Sequence, residues 1–162
     1  MKLILSDIEN LPIKSDDKHH VIYHDGNLHH CIGCFGCWVK TPGQCVIKDD
    51  YSNMGYLLSR CDELIIISKC IYGSFSPFIK NLLDRSISYI SPNFVIRKGE
   101  MHHKRRYDNV ISISAYFYGG DITELEKETA KSLVTANAVN FDGKVRNVSF
   151  FSSTDEVKAV LM

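Results

Sequence analysis

Four of the six cysteines in this chain lie between Cys31 and Cys45. Cys31, Cys34 and Cys37 each stand two residues apart, and Cys45 follows after seven more. Thiolate is a soft ligand, and a two-residue spacing lets neighbouring sulfurs turn back on one centre. The run therefore reads as an iron–sulfur site, a zinc site or a redox thiol group. Zinc is the weaker metal reading, because the two separated pairs of a zinc ribbon are missing. Cys61 falls in a different pattern, on an apolar stripe with Met54, Leu57 and Leu58, where a thiol fills core. Six of the seven histidines form adjacent pairs, His19/His20, His29/His30 and His102/His103. Adjacent side chains point apart on a strand and about 100° apart on a helix, so the pairs read as solvated loop histidines. There is no catalytic triad, Walker loop or metalloprotease helix motif.

The elements that must position these residues alternate along the chain. Lys2–Ser6 and His20–His24 are short β-rich runs, and Leu64–Ile67 is continuously apolar, as expected for a strand covered on both faces. Val110–Ser114 and Val145–Phe151 complete five predicted strands. Asp50 sits as an N-cap ahead of Met54, Leu57, Leu58 and Cys61. Ser76-Pro77 opens a helix with Ile79, Leu82, Leu83, Ile87 and Ile90 on its dry side and Lys80, Asn81, Asp84 and Arg85 on its wet side. Asp121 with Glu124 caps a helix carrying Ile122, Leu125, Leu133 and Ala136, and Thr154–Leu161 is a short last helix. The charge-rich stretch Ser91–Asn109 reads as a loop. This alternation predicts an α/β three-layer sandwich around a five-stranded parallel sheet, one domain spanning residues 1–162. In such sheets ligands bind beyond the carboxyl ends of the strands, here Ser6–Asn10, Cys70–Ser76 and Ala115–Gly120.

Composition narrows the partners. Nineteen basic and nineteen acidic side chains cancel, so no overall field recruits nucleic acid or an anionic membrane. MKLILSDIEN has too few apolar residues for a signal peptide, and no run approaches the roughly 20 residues of a membrane span. The expectation is a soluble cytoplasmic protein whose thiols stay reduced.

CIGCFGCW, then TPGQCVIKDD, then KCIYGSFSPFIKNLLDR resemble the flavodoxin-like NAD(P)H-dependent FMN reductase family, including its iron–sulfur flavoprotein members. The resemblance covers residues 20–90, with HKRRY and ISISAYFYGGDITELEKE following later elements more loosely. It implies a flavodoxin-like fold and bound FMN, with electrons passing from NAD(P)H to a small-molecule or protein acceptor, in a homo-oligomer. Tyr72, Gly73, Ser74, Phe75 and Ser76 match the loop that cradles the flavin ring, and Ala115, Tyr116, Tyr118 and Gly119 match the third flavin loop. Cys31, Cys34, Cys37 and Cys45 satisfy the compact signature of a four-iron cluster. Lys80, Asp84 and Arg85 match the family's helix motif and read as a helix-surface ion pair and its neighbours. Trp38 either covers a flavin or partner, or packs under the cysteine loop. Cys70 stands where the family has proline.

The front of the chain departs from that pattern. A flavin phosphate needs free N–H groups at a helix N-terminus, but SDIENLPIKSDDKHH offers Asp7 and Glu9, no glycine, and a break at Pro12. The stretch between the first two strands is too short for a helix of any length, so the first helix is expected to be shortened or absent. Weak FMN binding follows. A second reading follows too, that of a degenerate flavodoxin-fold module without cofactor, serving interaction or oligomerisation.

Overall fold

A computed structural model describes residues 1–162. Its centre is a parallel sheet of β1 (Lys2–Ser6), β2 (His19–Ile22), β3 (Glu63–Lys69), β6 (Ser112–Tyr118) and β7 (Lys144–Phe151), in the spatial order β2-β1-β3-β6-β7. That is the flavodoxin-like strand order, reversing between β1 and β3. The helices are α1 (Gly36–Val39), α2 (Met54–Ser59), α3 (Pro77–Arg85), α4 (Glu124–Asn140) and α5 (Thr154–Val160). A 3₁₀ turn, Ser86–Tyr89, continues α3 into a separate antiparallel hairpin, β4 (Ile90–Arg97) and β5 (Glu100–Arg105).

The two faces of the sheet are unequal. Leu3, Leu5, Leu64, Ile66, Ile113 and Phe117 meet Leu58 of α2, Ile79 and Leu82 of α3 and Ala130 and Val134 of α4, in a core cluster of 24 buried residues. On the opposite face Ile4, Ile65 and Ile67 meet Ile8, Leu11 and Val157 in a buried cluster of six, with partly buried side chains such as Tyr23, Tyr116 and Phe151 packed against it. No helix follows β1. Residues 7–18 run as irregular chain with several bends, and burial of Ile8 and Leu11 replaces the missing helix. Turns hold this segment: Ser6 Oγ accepts from Ile8 N at 2.9 Å, and Asp16 Oδ1 accepts from Lys18 N at 2.8 Å and His19 N at 2.7 Å. The expected absence of a first helix is what the fold shows. No helix is long and apolar enough to cross a membrane.

Several local expectations are corrected. Ser91–Asn109 is largely the β4–β5 hairpin, so His102 and His103 lie on a strand, as do His19 and His20. The fourth predicted strand begins and ends later, at Ser112–Tyr118. Asn53 rather than Asp50 stands before α2. The α4 cap is Thr123, in a reciprocal box with Glu126, and the buried face is Ala130, Val134 and Ala138 instead of Leu125. Cys61 is fully buried but lies just beyond α2, its thiol pushed up to about 11 by burial.

Candidate functional site

The carboxyl-end rim is formed by Ser6 of β1, Lys69 of β3 and Tyr118 of β6. At the point where strand order reverses, Asp7 N donates to Ile67 O at 3.3 Å and Lys69 N donates to Asp7 Oδ2 at 2.9 Å. The carboxylate thus spans the crevice between β1 and β3. Its Oδ1 is buried without a hydrogen-bond partner, and burial together with the Asp7 charge pushes the Tyr118 phenol up. A phosphate at this position would meet a fixed negative charge and no helix N-terminus, so the phosphate end of FMN does not fit here.

The residues expected to hold the flavin ring divide into two groups. Ile71 and Ser74 exchange backbone hydrogen bonds at 3.0 and 2.9 Å, closing a turn whose central residues, Tyr72 and Gly73, have φ of 51° and 74°. A Cβ at Gly73 would come within 2.8 Å of Glu126 O, so the turn seats on α4 only with glycine. Tyr72 projects from it, 88% exposed. Gly119 N donates to Phe151 O at 3.0 Å, and Gly119 and Gly120 edge a small hollow beside Phe150 and Phe151. The others turn inward. Ala115 is in mid-strand with no exposure, and Phe75 is buried in a stack with Phe117 at 5.1 Å. Ser76 is buried, its N–H donating to Ser68 Oγ at 2.8 Å. Tyr116 packs against Phe151 on the thinly covered face. Phe75 and Ala115 therefore serve the core and Gly73 is buried against α4, so the surface the rim presents is that of Tyr72 and Gly120, with Ser74 and Gly119 half-buried.

The cysteines lie elsewhere, on the flank of α3. Cys31, Cys34, Cys37 and Cys45 all line one concavity of about 490 Å³ with Phe35, Arg85, His103 and Phe141. The loop reverses through Gly33 and Phe35, at φ of 63° and 52°. Cys31 N donates to Asn81 Oδ1 at 3.3 Å, and Gly36 N donates to Cys34 Sγ at 3.5 Å. Cys37 is buried and its thiol is pushed up, first by burial and then by Cys45. Cys31 and Cys34 are exposed and Cys45 is half-buried. As folded, no three His, Cys, Asp or Glu side chains are gathered on a single metal-binding centre. The donor chemistry is that of an iron–sulfur site, since four cysteines line one half-open concavity and Cys34 Sγ already accepts an amide N–H, but the exposed Cys31 and Cys34 would have to move for the four sulfurs to meet.

A buried ion pair anchors this loop. Arg85 lies at the C-terminus of α3 with its side chain fully buried, and its forked end meets Asp49 with both nitrogen–oxygen distances at 2.8 Å. Nη1 also donates to His29 O at 2.7 Å and Nη2 to Ile47 O at 3.4 Å, tying both flanks of the cysteine run to one helix. Burial would raise the Asp49 carboxyl, but the guanidinium and backbone N–H groups hold it at about 2. Lys80 and Asp84 form the expected surface pair at 2.9 Å, but Arg85 is no part of the surface. Sequence reasoning missed the Arg85–Asp49 pair; the paired aspartates closing the cysteine segment were the available signal. Trp38 packs beneath the loop, its Nε1 donating at 3.1 Å to both Ile87 O and Ile90 O. Beside it His103 stacks between Trp38 and Phe94, at 4.8 Å from each.

Strand order and the helices flanking the sheet define a flavodoxin-like fold. Solved structures agree: the chain superimposes on the Trp repressor binding protein from Bacillus subtilis with a TM-score of 0.57, covering 99% of this chain and 94% of that one at 12% identity. The general stress protein 14 from Treponema denticola, determined in complex with FMN, gives a TM-score of 0.50 over 99% of this chain and 90% of that one, also at 12% identity. No protein-family model matches the chain. Sequence relatives are narrower in extent: 62 residues, 38% of this chain, are 37% identical to an iron–sulfur flavoprotein of Methanocaldococcus jannaschii. A 62-residue stretch is 31% identical to an iron–sulfur flavoprotein of Archaeoglobus fulgidus. These matches span 31% and 27% of the length of the two curated relatives.

Proposed function

We propose that this chain is an electron-transfer oxidoreductase of the iron–sulfur flavoprotein kind. The reading rests on one observation: Cys31, Cys34, Cys37 and Cys45 all face a single concavity beside the buried Arg85. A cluster bound there would take up and release one electron at a time. The chain's part is to supply the four thiolates, to hold Cys37 out of water, and to keep the loop docked through Asp49, Arg85 and Trp38. In this reading Tyr72, Ser74, Gly119 and Gly120 would bind and orient a flavin ring, which when bound would supply hydride acceptance from NAD(P)H and electron release to a separate acceptor. Because the Asp7 carboxylate stands where a flavin phosphate would need a helix N-terminus, riboflavin and FMN are expected to bind alike.

Anaerobic reconstitution with ferrous iron and sulfide tests the proposal. Four iron atoms per chain with broad brown absorption are expected. Cys34→Ser or Cys37→Ser should abolish iron uptake, whereas Cys61→Ser, remote from the loop, should leave it intact and cost only stability. Iron retained after loss of Cys34 would refute the assignment.

A second reading has its own support. Phe94, Ile96 and Met101 are exposed on the hairpin, and Asp7 blocks the phosphate position, as expected of an interaction module without cofactor. Absence of both iron uptake and flavin binding would favour it.

A further inference from the structure

A hairpin of two strands is marginal by itself and needs something against its apolar face. β4 and β5 pair only with each other. Phe94 and Ile96 fall on one face of β4, and the register sets His103 beside Phe94 and Met101 beside Ile96 on that same face. The opposite face carries Arg97, Glu100 and His102, and Arg97 pairs with Asp142 of this chain. The hairpin is thus fastened to its own chain by polar groups while its apolar face looks outward. That face runs on into the cysteine loop through stacked rings: Phe94 to His103 and His103 to Trp38 at 4.8 Å, then Trp38 to Phe35 at 5.1 Å. Ile32 and Phe35 also line the concavity of the cysteines, so the patch reaches its mouth.

We propose that this patch is the interface with a second copy of the chain, packed about a two-fold axis through the face of Phe94, Ile96 and Met101, and that the partner copy covers the mouth of the cysteine concavity. Area favours a second copy. Ile32, Phe35, Phe94, Ile96 and Met101 are each between 52% and 72% exposed. At about 200 Å² for a side chain of this size, they present on the order of 600 Å² on one copy. The largest patch on an ordinary monomer is about 300 to 600 Å². Two such patches bring about 1,200 Å² together, the lower bound of a standard interface before any polar rim is added. Charge favours it too. The hairpin tip carries Lys98 and Glu100, opposite signs at one edge, and a two-fold axis sets a surface against itself, so such a rim can pair with its own copy. Nineteen basic and nineteen acidic side chains leave no net charge to hold two copies apart. The assignment rests on the hairpin and loop surface alone and stands whether or not the cysteines take up iron.

Sedimentation velocity on the full chain, kept reduced and run over a wide range of concentration, tests the proposal. The parent should sediment at twice the 18.4 kDa chain mass. Ile96→Lys and, separately, Met101→Glu each place like charges across the two-fold axis at an exposed position that the monomer fold does not need. Each should raise the dissociation constant about a hundredfold or more and leave the far-ultraviolet circular dichroism unchanged. Leu125→Lys, an exposed change on α4 away from the patch, should stay dimeric. Alkylation of Cys31 and Cys34 by iodoacetamide, read by mass spectrometry, should be slow in the parent dimer and about tenfold faster in Ile96→Lys. A parent that is monomeric at every concentration leaves the patch to a different partner and overturns the proposal. A dimer that survives both hairpin variants, or that Leu125→Lys weakens equally, overturns it as well, since the contact would lie elsewhere. Equal alkylation rates in parent dimer and dissociated variant overturn the covering of the cysteine mouth.

Discussion

Replacing Asp49 with asparagine should cost the fold a pH-dependent amount that follows from the local geometry. The side chain of Asp49 is 4% exposed and that of Arg85 is fully buried, so Asp49→Asn strands a guanidinium without its counter-charge. Breaking one partner of a buried pair costs on the order of 3 to 5 kcal/mol, and asparagine, which still accepts one hydrogen bond, should fall near the lower end at about 3 kcal/mol. The Asp49 carboxyl is held at about 2 against an ordinary value of 3.8. A depressed carboxyl contributes stability above its unfolded value and loses it as pH falls through the folded one. With about 1.36 kcal/mol per unit, the contribution at pH 7 is about 2 kcal/mol, and about 1 kcal/mol of it is already lost at pH 3. Urea denaturation followed by far-ultraviolet circular dichroism, for parent and variant at pH 7, 5 and 3, measures this directly. The gap should hold between pH 7 and 5 and narrow by about 1 kcal/mol at pH 3. A gap constant across all three values would mean that Asp49 is not ionised against Arg85. A gap below about 0.5 kcal/mol at pH 7 would mean that the pair is not buried.

Gly73→Ala should destabilise the chain by about 1 to 3 kcal/mol, because the residue sits at φ 74° with α4 in the way, and urea denaturation reads the loss. Asp142 pairs with both Arg97 and Arg105 and ties the hairpin to the C-terminal end of α4. Asp142→Ala should speed amide exchange in residues 90–105 about fivefold while shifting global stability by less than about 1 kcal/mol. If Asp7 is what excludes the phosphate, Asp7→Ser should raise the preference for FMN over riboflavin about fivefold, corresponding to relief of about 1 kcal/mol of repulsion. Fluorescence titration with both ligands checks it, and equal affinities in the variant would show that the carboxylate is not the barrier.

The sheet was legible because Leu64–Ile67 is apolar without alternation and short β-rich runs flank it along the chain. The missing first helix was legible because Asp7–His19 is short and broken by Pro12. The hairpin was not, since burial is what normally marks a strand and Phe94, Ile96 and Met101 face solvent. Its signal was the turn, where Lys98 and Gly99 both take positive φ, at 52° and 84°. In α4 the contacts are made by Ala130, Val134 and Ala138, and small residues give a weak periodic pattern that Leu125 outweighed. Arg85 was placed on the wet face because helical spacing reports only its neighbours in the helix. Its partner lies 36 residues away, beyond any local pattern. Spacing placed Cys31, Cys34, Cys37 and Cys45 in one segment, and the fold lines one concavity with them without bringing three to a single centre; the inward turn of Phe75 and Ala115 depends on where the strands end.

The attachment of the cysteine segment to a single arginine also shapes how the molecule opens. Between Ile22 and Met54 the only regular element is the four-residue α1, so the segment keeps its place through tertiary contacts more than its own ladder. Arg85, Asn81, Ile87 and Ile90 supply many of those contacts, and they belong to α3, the turn beyond it and the start of β4. The segment therefore behaves as a foldon of its own, able to detach as a unit at less than the free energy of global unfolding while the five strands stay paired. Its amides would exchange together, ahead of those in β1, β3 and β6. That partly open form, in which Cys31, Cys34, Cys37 and Cys45 regain freedom while the sheet keeps its shape, is the state through which the thiols become reachable from solution.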